Sequence, residues 1–134
     1  MHKIDVEIKV PFHDIDPMNV VWHGRYPKYF EIARCELLDT IGFNYNEMKA
    51  TGYAWPIVDM RIKYIRPVIF QQNIRVHAEI TEWEHRLKIV YTIFDAATQE
   101  RLSRGYTIQM AVDMSNGESC FETPEILRKK LGKV

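Results

Sequence analysis

The chain has 134 residues, with 18 basic and 18 acidic side chains and a formal net charge of +0. That length fits one domain, residues 1–134, and excludes a multidomain machine or a large barrel. With 46% apolar and 27% charged residues the chain can bury a core and is too apolar to be disordered, while its charge balance argues against nucleic acid as the main partner and leaves little repulsion to oppose self-association.

Two cysteines, Cys35 and Cys120, are too few and too far apart for a disulfide framework or a zinc site, so a reduced, cytoplasmic setting is expected. The first residues, Met1 to Glu7, alternate charged and apolar side chains and lack the continuous apolar run of a signal peptide. No stretch approaches the roughly 18 apolar residues that a membrane span needs.

In chain order, Ile4, Val6, Ile8 and Val10 alternate with Asp5, Glu7 and Lys9, the period of two of a half-buried strand. Pro11 closes it, and a polar loop follows. From about Trp22 to Ile41 the period becomes helical. At 100° per residue Tyr26, Tyr29, Phe30, Ala33, Leu37 and Ile41 share one face. Ile32, Cys35 and Leu38 lie outside that stripe, which predicts a helix covered on more than one side. Pro27 fits only the first turn, so the helix starts near His23 to Tyr26, and Gly42 suits its far end.

After a loop with Gly52 and Pro56, alternation returns. The rows are Met60, Ile62, Tyr64; then Ile74, Val76, Ala78, Ile80; then Leu87, Ile89, Tyr91, Ile93; then Leu102, Tyr106, Ile108, Met110, Val112. Asn116-Gly117 marks a turn, and Thr123-Pro124 opens a short helix with Thr123 as N-cap and Pro124 in the first helical position. Short connections force antiparallel pairing. The economical arrangement is α+β: an antiparallel sheet of five strands, or slightly more, wrapped around one long helix.

The informative segment is His13-Asp14-Ile15-Asp16-Pro17-Met18-Asn19-Val20-Val21-Trp22-His23-Gly24-Arg25-Tyr26. It sets two carboxylates and two histidines before a helix N-terminus, whose free N–H groups suit a developing oxyanion. A carboxylate beside them can act as general base or nucleophile. On spacing alone a turn capped by Asp16 is the favoured reading, since Asp-x-Asp-Pro is common turn chemistry.

This run, with Tyr29-Phe30-Glu31-Ile32-Ala33-Arg34, Ile62-Lys63-Tyr64-Ile65-Arg66-Pro67 and Glu82-Trp83, closely resembles the hotdog-fold acyl-CoA thioesterases, in particular the 4-hydroxybenzoyl-CoA thioesterase and YbgC-like branch. The resemblance covers roughly residues 4 to 113. It implies the hotdog fold, hydrolysis of an acyl thioester, and Asp16 as the catalytic carboxylate. It implies that the His23 backbone N–H polarises the carbonyl, with the His23 side chain orienting water or substrate, and that Asp14 holds the loop. The family usually has Gly where this chain has Asn19; Asn tolerates φ > 0, and its amide is a candidate substrate contact.

Further substrate-binding candidates are Tyr26, for which core packing is the favoured reading, Trp55, placed to line the acyl end, and Arg86 and Lys88, which match a basic stretch that contacts the nucleotide in that branch. Arg61, Lys63 and Arg66 are other cations suited to coenzyme A phosphates. Glu31 is a distant second choice for the acid. The histidines show no metal-ligand spacing, and no Gly-x-Ser-x-Gly elbow is present. No cofactor is expected, because coenzyme A belongs to the substrate. Alternatives are a thioesterase for acyl carrier protein thioesters, a hotdog dehydratase or isomerase, and a non-enzymatic acyl-binding module. The family resemblance and the apolar helix predict a homodimer or homotetramer.

Overall fold

In the computed structural model, which describes residues 2–133, the sheet-and-helix arrangement stands as expected. Strand β1 (Lys3–Lys9) leads through two short 3-10 turns, Phe12–Asp14 and His23–Arg25, into the central helix α1 (Tyr26–Thr40). After α2 (Tyr45–Ala50) and the two-residue β2 (Tyr53–Ala54) come β3 (Ile57–Tyr64), β4 (Asn73–Glu82), β5 (Leu87–Asp95) and β6 (Arg101–Gln109). The short β7 (Val112–Asp113) and β8 (Glu118–Ser119) precede α3 (Glu125–Lys130). The main sheet is antiparallel in the order β1-β4-β5-β6-β3, and β2, β7 and β8 form a second small sheet. No helix among the described residues is long and apolar enough to cross a membrane.

Helix α1 packs its predicted stripe against the concave face of the sheet. Tyr26, Tyr29, Phe30, Ala33 and Leu37 are buried, as are Ile74, Val76, Ala78 and Ile80 of β4 and Leu87, Ile89, Tyr91 and Ile93 of β5. At the centre, Phe30 stacks on Tyr91 with ring centroids 4.4 Å apart and planes 5° from parallel. Pro27 sits in the first turn of α1, where its missing N–H removes no helical bond. Gly42 takes φ +66°, the left-handed conformation of a residue just past a helix end.

Three expectations are corrected. On β6 the helix-facing residues are Ser103, Gly105, Thr107 and Gln109, paired with Ile93, Tyr91, Ile89 and Leu87. Of the predicted row, Tyr106 and Ile108 lie on the other face, while Leu102, the extra residue at a bulge between Arg101 and Ser103, is buried in the core. The cause is space: a side chain at Gly105 would meet the Arg61 carbonyl at 2.3 Å and the Phe30 ring at 2.8 Å, so the stacked aromatics leave room only for small residues there. On β3 the row Met60, Ile62, Tyr64 does face the helix side, paired with Thr107, Gly105 and Ser103. It is poorly covered because β3 is the outermost strand, and Met60 and Tyr64 remain exposed.

Finally, Thr123 is not the N-cap of α3. Pro124 holds that position, and the Thr123 hydroxyl donates to the Trp83 carbonyl at 2.6 Å. Helix α2 and the small sheet were not anticipated at all. Helix α2 opens on a reciprocal cap in which Asn44 accepts from the Glu47 N–H and Glu47 accepts from the Asn44 N–H.

Candidate active site

The loop between β1 and α1 is folded by its own backbone. Asp16 N–H donates to the Val20 carbonyl at 2.9 Å, and Asn19 N–H donates to the Asp16 carbonyl at 3.0 Å. Closing that turn puts Asn19 at φ +64°, a conformation Asn adopts more readily than most residues. The Trp22 N–H donates to the Asp14 carbonyl and the Val21 N–H to the Val68 carbonyl. These bonds pin the loop to the start of α1 and to the chain beyond β3.

The two carboxylates of the motif have different surroundings. Asp14 is buried. Its carboxylate accepts from the Lys28 ammonium at 2.6 Å and from the Tyr29 hydroxyl at 2.7 Å, and Arg25 lies 3.8 Å away. Burial alone would raise the Asp14 pKa, but the bonds from Lys28 and Tyr29 outweigh it and hold the carboxyl below its usual range. Burial and the Asp14 charge push the Tyr29 phenol far above its ordinary value. Asp14 is therefore a structural anchor for the loop and the first turns of α1.

Asp16 is half-buried. One carboxylate oxygen accepts from the Met18 N–H at 2.8 Å; among the described residues the other has no partner, and no cation pairs with the group. It lines a cleft of about 340 Å³ with Val20, His23, Tyr26, Tyr64 and Arg66. The His23 N–H pairs with no acceptor among the described residues, and the His23 ring is exposed. A carboxylate, an unpaired helix-start N–H and an open cavity are the parts needed to attack a carbonyl and stabilise the oxyanion that forms.

Of the residues singled out in the sequence, Asp16, His23 and Tyr26 meet in this cleft. Asn19 shapes the turn beside it. Trp55 does not join them within one chain: it packs edge-on to Phe43 with centroids 5.6 Å apart and lines a separate depression with Tyr45 and Met48. Arg86 and Lys88 also lie apart from the cleft, and Glu82 occupies them. The Arg86 guanidinium donates to both Glu82 oxygens at 3.0 and 3.1 Å, and Lys88 is 3.6 Å from the same carboxylate. Glu31 is an exposed partner of Arg34 at 4.0 Å.

One contributor, Tyr64, was not among the candidates, and Arg66, a candidate phosphate contact, lines the cleft itself. The Tyr64 hydroxyl donates to the His23 carbonyl at 2.9 Å, and its ring meets Tyr26 edge-on at 4.7 Å. Tyr64 thus braces the helix start from the end of β3. Arg66 lines the same wall and is 3.1 Å from Glu100. Spacing gave no signal for either contact, because both depend on where β3 ends relative to α1.

The thioesterase-like superfamily model matches residues 10–131, and the chain belongs to that superfamily. It is 33% identical over 91 residues to YneP of Bacillus subtilis (strain 168), named as a candidate acyl-CoA thioesterase; that match covers 68% of this chain and 65% of YneP. It is 28% identical over 74 residues to the acyl-CoA thioester hydrolase YbgC of Escherichia coli O157:H7, covering 55% of each chain. The chain thus spans between half and two thirds of the length of these relatives. Its fold matches the DHNA-CoA thioesterase of Staphylococcus aureus with a TM-score of 0.86 at 22% identity, over 99% of this chain and 91% of that one.

Proposed function

We infer that this protein hydrolyses acyl thioesters of coenzyme A, with a small to medium or aromatic acyl group, to the free acid and CoA. The observation that carries this reading is the cleft shared by Asp16 and the unpaired His23 N–H. The free Asp16 oxygen either attacks the thioester carbonyl carbon or takes a proton from a water that does. The carbonyl oxygen gains negative charge facing the His23 N–H. Collapse of the tetrahedral intermediate breaks the carbon–sulfur bond and expels the thiolate, a good leaving group that needs no Ser-His-Asp relay; on the direct-attack route the acyl group then sits on Asp16 as an anhydride, which water cleaves to the free acid and the regenerated carboxylate. No cofactor is required for this chemistry.

The reading includes a cytoplasmic location and assembly into a dimer or tetramer. The outermost strand β3 leaves Ile57, Val58, Met60 and Tyr64 exposed beside a free edge, the kind of edge that a second copy covers.

The decisive experiment measures thiol release from a panel of acyl-CoAs and acyl carrier protein thioesters with the native protein and Asp16→Asn. Release by the native protein from a CoA ester, with at least a hundredfold lower kcat in the variant, is expected. An enoyl product from a 3-hydroxyacyl thioester, without free thiol, would instead make the protein a dehydratase.

A further inference from the structure

A depression of about 250 Å³ opens between α2 and the small sheet, lined by none of the residues of the Asp16 cleft. Met48, Trp55 and Met114 give it apolar walls, and its polar side chains are Tyr45, Lys49 and Tyr53, each able to donate. Among the described residues no carboxylate lines it. The carboxylates close by in sequence are engaged elsewhere: Glu47 caps α2 and lies 3.9 Å from Lys130, and Asp113 accepts from the Ser115 hydroxyl at 2.7 Å. Lys49 pairs with no carboxylate among the described residues.

Tyr45 connects the depression to a buried charge. Its oxygen accepts from the Arg34 guanidinium at 2.8 Å, so its own proton is left to give, and among the described residues no acceptor takes it. Arg34 is buried and its Nε has no partner. Its one carboxylate neighbour, Glu31, is exposed and 4.0 Å away. A buried cation so weakly compensated costs stability. An anion accepting from Tyr45 would stand about 5–6 Å from that guanidinium, near enough to offset its charge.

Apolar walls around donors of one sign fit a small amphipathic acid. The volume lies below the roughly 300–1,000 Å³ of a pocket for a drug-sized ligand, so a whole coenzyme A thioester does not fit. We propose that this depression binds a free apolar carboxylate, the class of acid that thioester hydrolysis releases, at a site separate from the Asp16 cleft. Identifying the ligand with the released acid rests on the thioesterase reading above. In the cleft the released carboxylate faces the Asp16 carboxylate, like charge against like. In the depression it meets donors only.

The test titrates benzoate, and benzamide as its uncharged counterpart, into the native protein, Lys49→Glu and Tyr45→Phe. Binding is read by calorimetry and by NMR of labelled methionine methyl groups. Benzoate should shift the Met48 and Met114 methyls and leave Met18, on the Asp16 loop, in place. It should bind more tightly than benzamide. Tyr45→Phe should weaken benzoate about tenfold, the worth of a hydrogen bond to a charged group. Lys49 is exposed, so Lys49→Glu should keep the fold, weaken benzoate about three- to tenfold and leave benzamide unchanged. KM for benzoyl-CoA in Lys49→Glu should stay within about twofold of native.

Methyl shifts absent from Met48 and Met114, or equal binding of benzoate and benzamide, would overturn the assignment. So would a KM for benzoyl-CoA that rises in step with the benzoate Kd, which would make the depression part of the thioester's own site. Absence of thiol release from any thioester by the native protein would reject the thioesterase reading instead, with benzoate binding still deciding the depression.

Discussion

The Tyr29 hydroxyl donates to the Asp14 carboxylate at 2.7 Å, both groups being buried where the loop meets α1. With Lys28 on the same carboxylate, this bond ties the loop to the helix. Asp14→Asn keeps an acceptor for Tyr29 and loses the charge that Lys28 needs. It should destabilise the protein by about 1–3 kcal/mol in denaturant melts.

The same group gives an acid limb to stability. The folded-state pKa of Asp14 is depressed, so its contribution is fully present above the unfolded value of about 3.9. It is lost as pH falls from there through the folded value. Stability measured from pH 6 downward should fall less steeply below about pH 4 in Asp14→Asn than in the native protein.

Asp16→Asn and His23→Ala should separate the two halves of the site. Asn retains an acceptor for the Met18 N–H, so the fold should persist by circular dichroism while kcat falls at least about a hundredfold. His23→Ala leaves the backbone N–H in place, and its kcat should fall by about tenfold or less. A larger loss in His23→Ala than in Asp16→Asn would move the chemistry to the imidazole.

Tyr64→Phe removes the hydroxyl that holds the His23 carbonyl and keeps the ring against Tyr26. The expected loss in kcat is about tenfold, the worth of one positioning hydrogen bond, with little change in melting temperature. Unaltered turnover would mean that the helix start needs no brace.

Gly105→Ala should be the most damaging small substitution. The added methyl would overlap the Arg61 backbone and the Phe30 ring, and backbone cannot move aside cheaply. A loss of about 1–3 kcal/mol or more is expected from overpacking. On assembly, light scattering should give at least twice the 15.9 kDa chain mass, and Met60→Lys on β3 should shift it toward the single chain.

The parts of the fold legible in the sequence were those where one face is buried and the other wet. Ile74 to Ile80 and Leu87 to Ile93 alternate because α1 covers only one side of β4 and β5. On β6 the rule inverted: the helix side demands small or polar groups at Ser103, Gly105 and Thr107, beneath Phe30 and Tyr91. Hydrophobicity there marks the wrong face. Helix α2 is short and its signal is the Asn44–Glu47 cap rather than periodicity, so a reading based on period passed over it.

At the site, the motif brought Asp16, His23 and Tyr26 together because they are close in sequence and share one helix start. Tyr64 arrives from the end of β3 and nothing local announces it; Arg66, just beyond that strand, was singled out for its charge but not for its place in the cleft. Arg86 and Lys88 were singled out by their match to a basic stretch of the family; what the sequence did not show is that Glu82, four and six residues upstream, pairs with both.

The face-to-face rings of Phe30 and Tyr91 and the bare backbone at Gly105 amount to a single packing choice distributed over three segments of the chain. A larger side chain at the glycine meets the helix ring on one side and the backbone of β3 on the other, so the position is closed from two directions. Phe30→Leu should therefore recover only part of the loss in Gly105→Ala, because trimming the ring leaves the overlap with the Arg61 carbonyl in place.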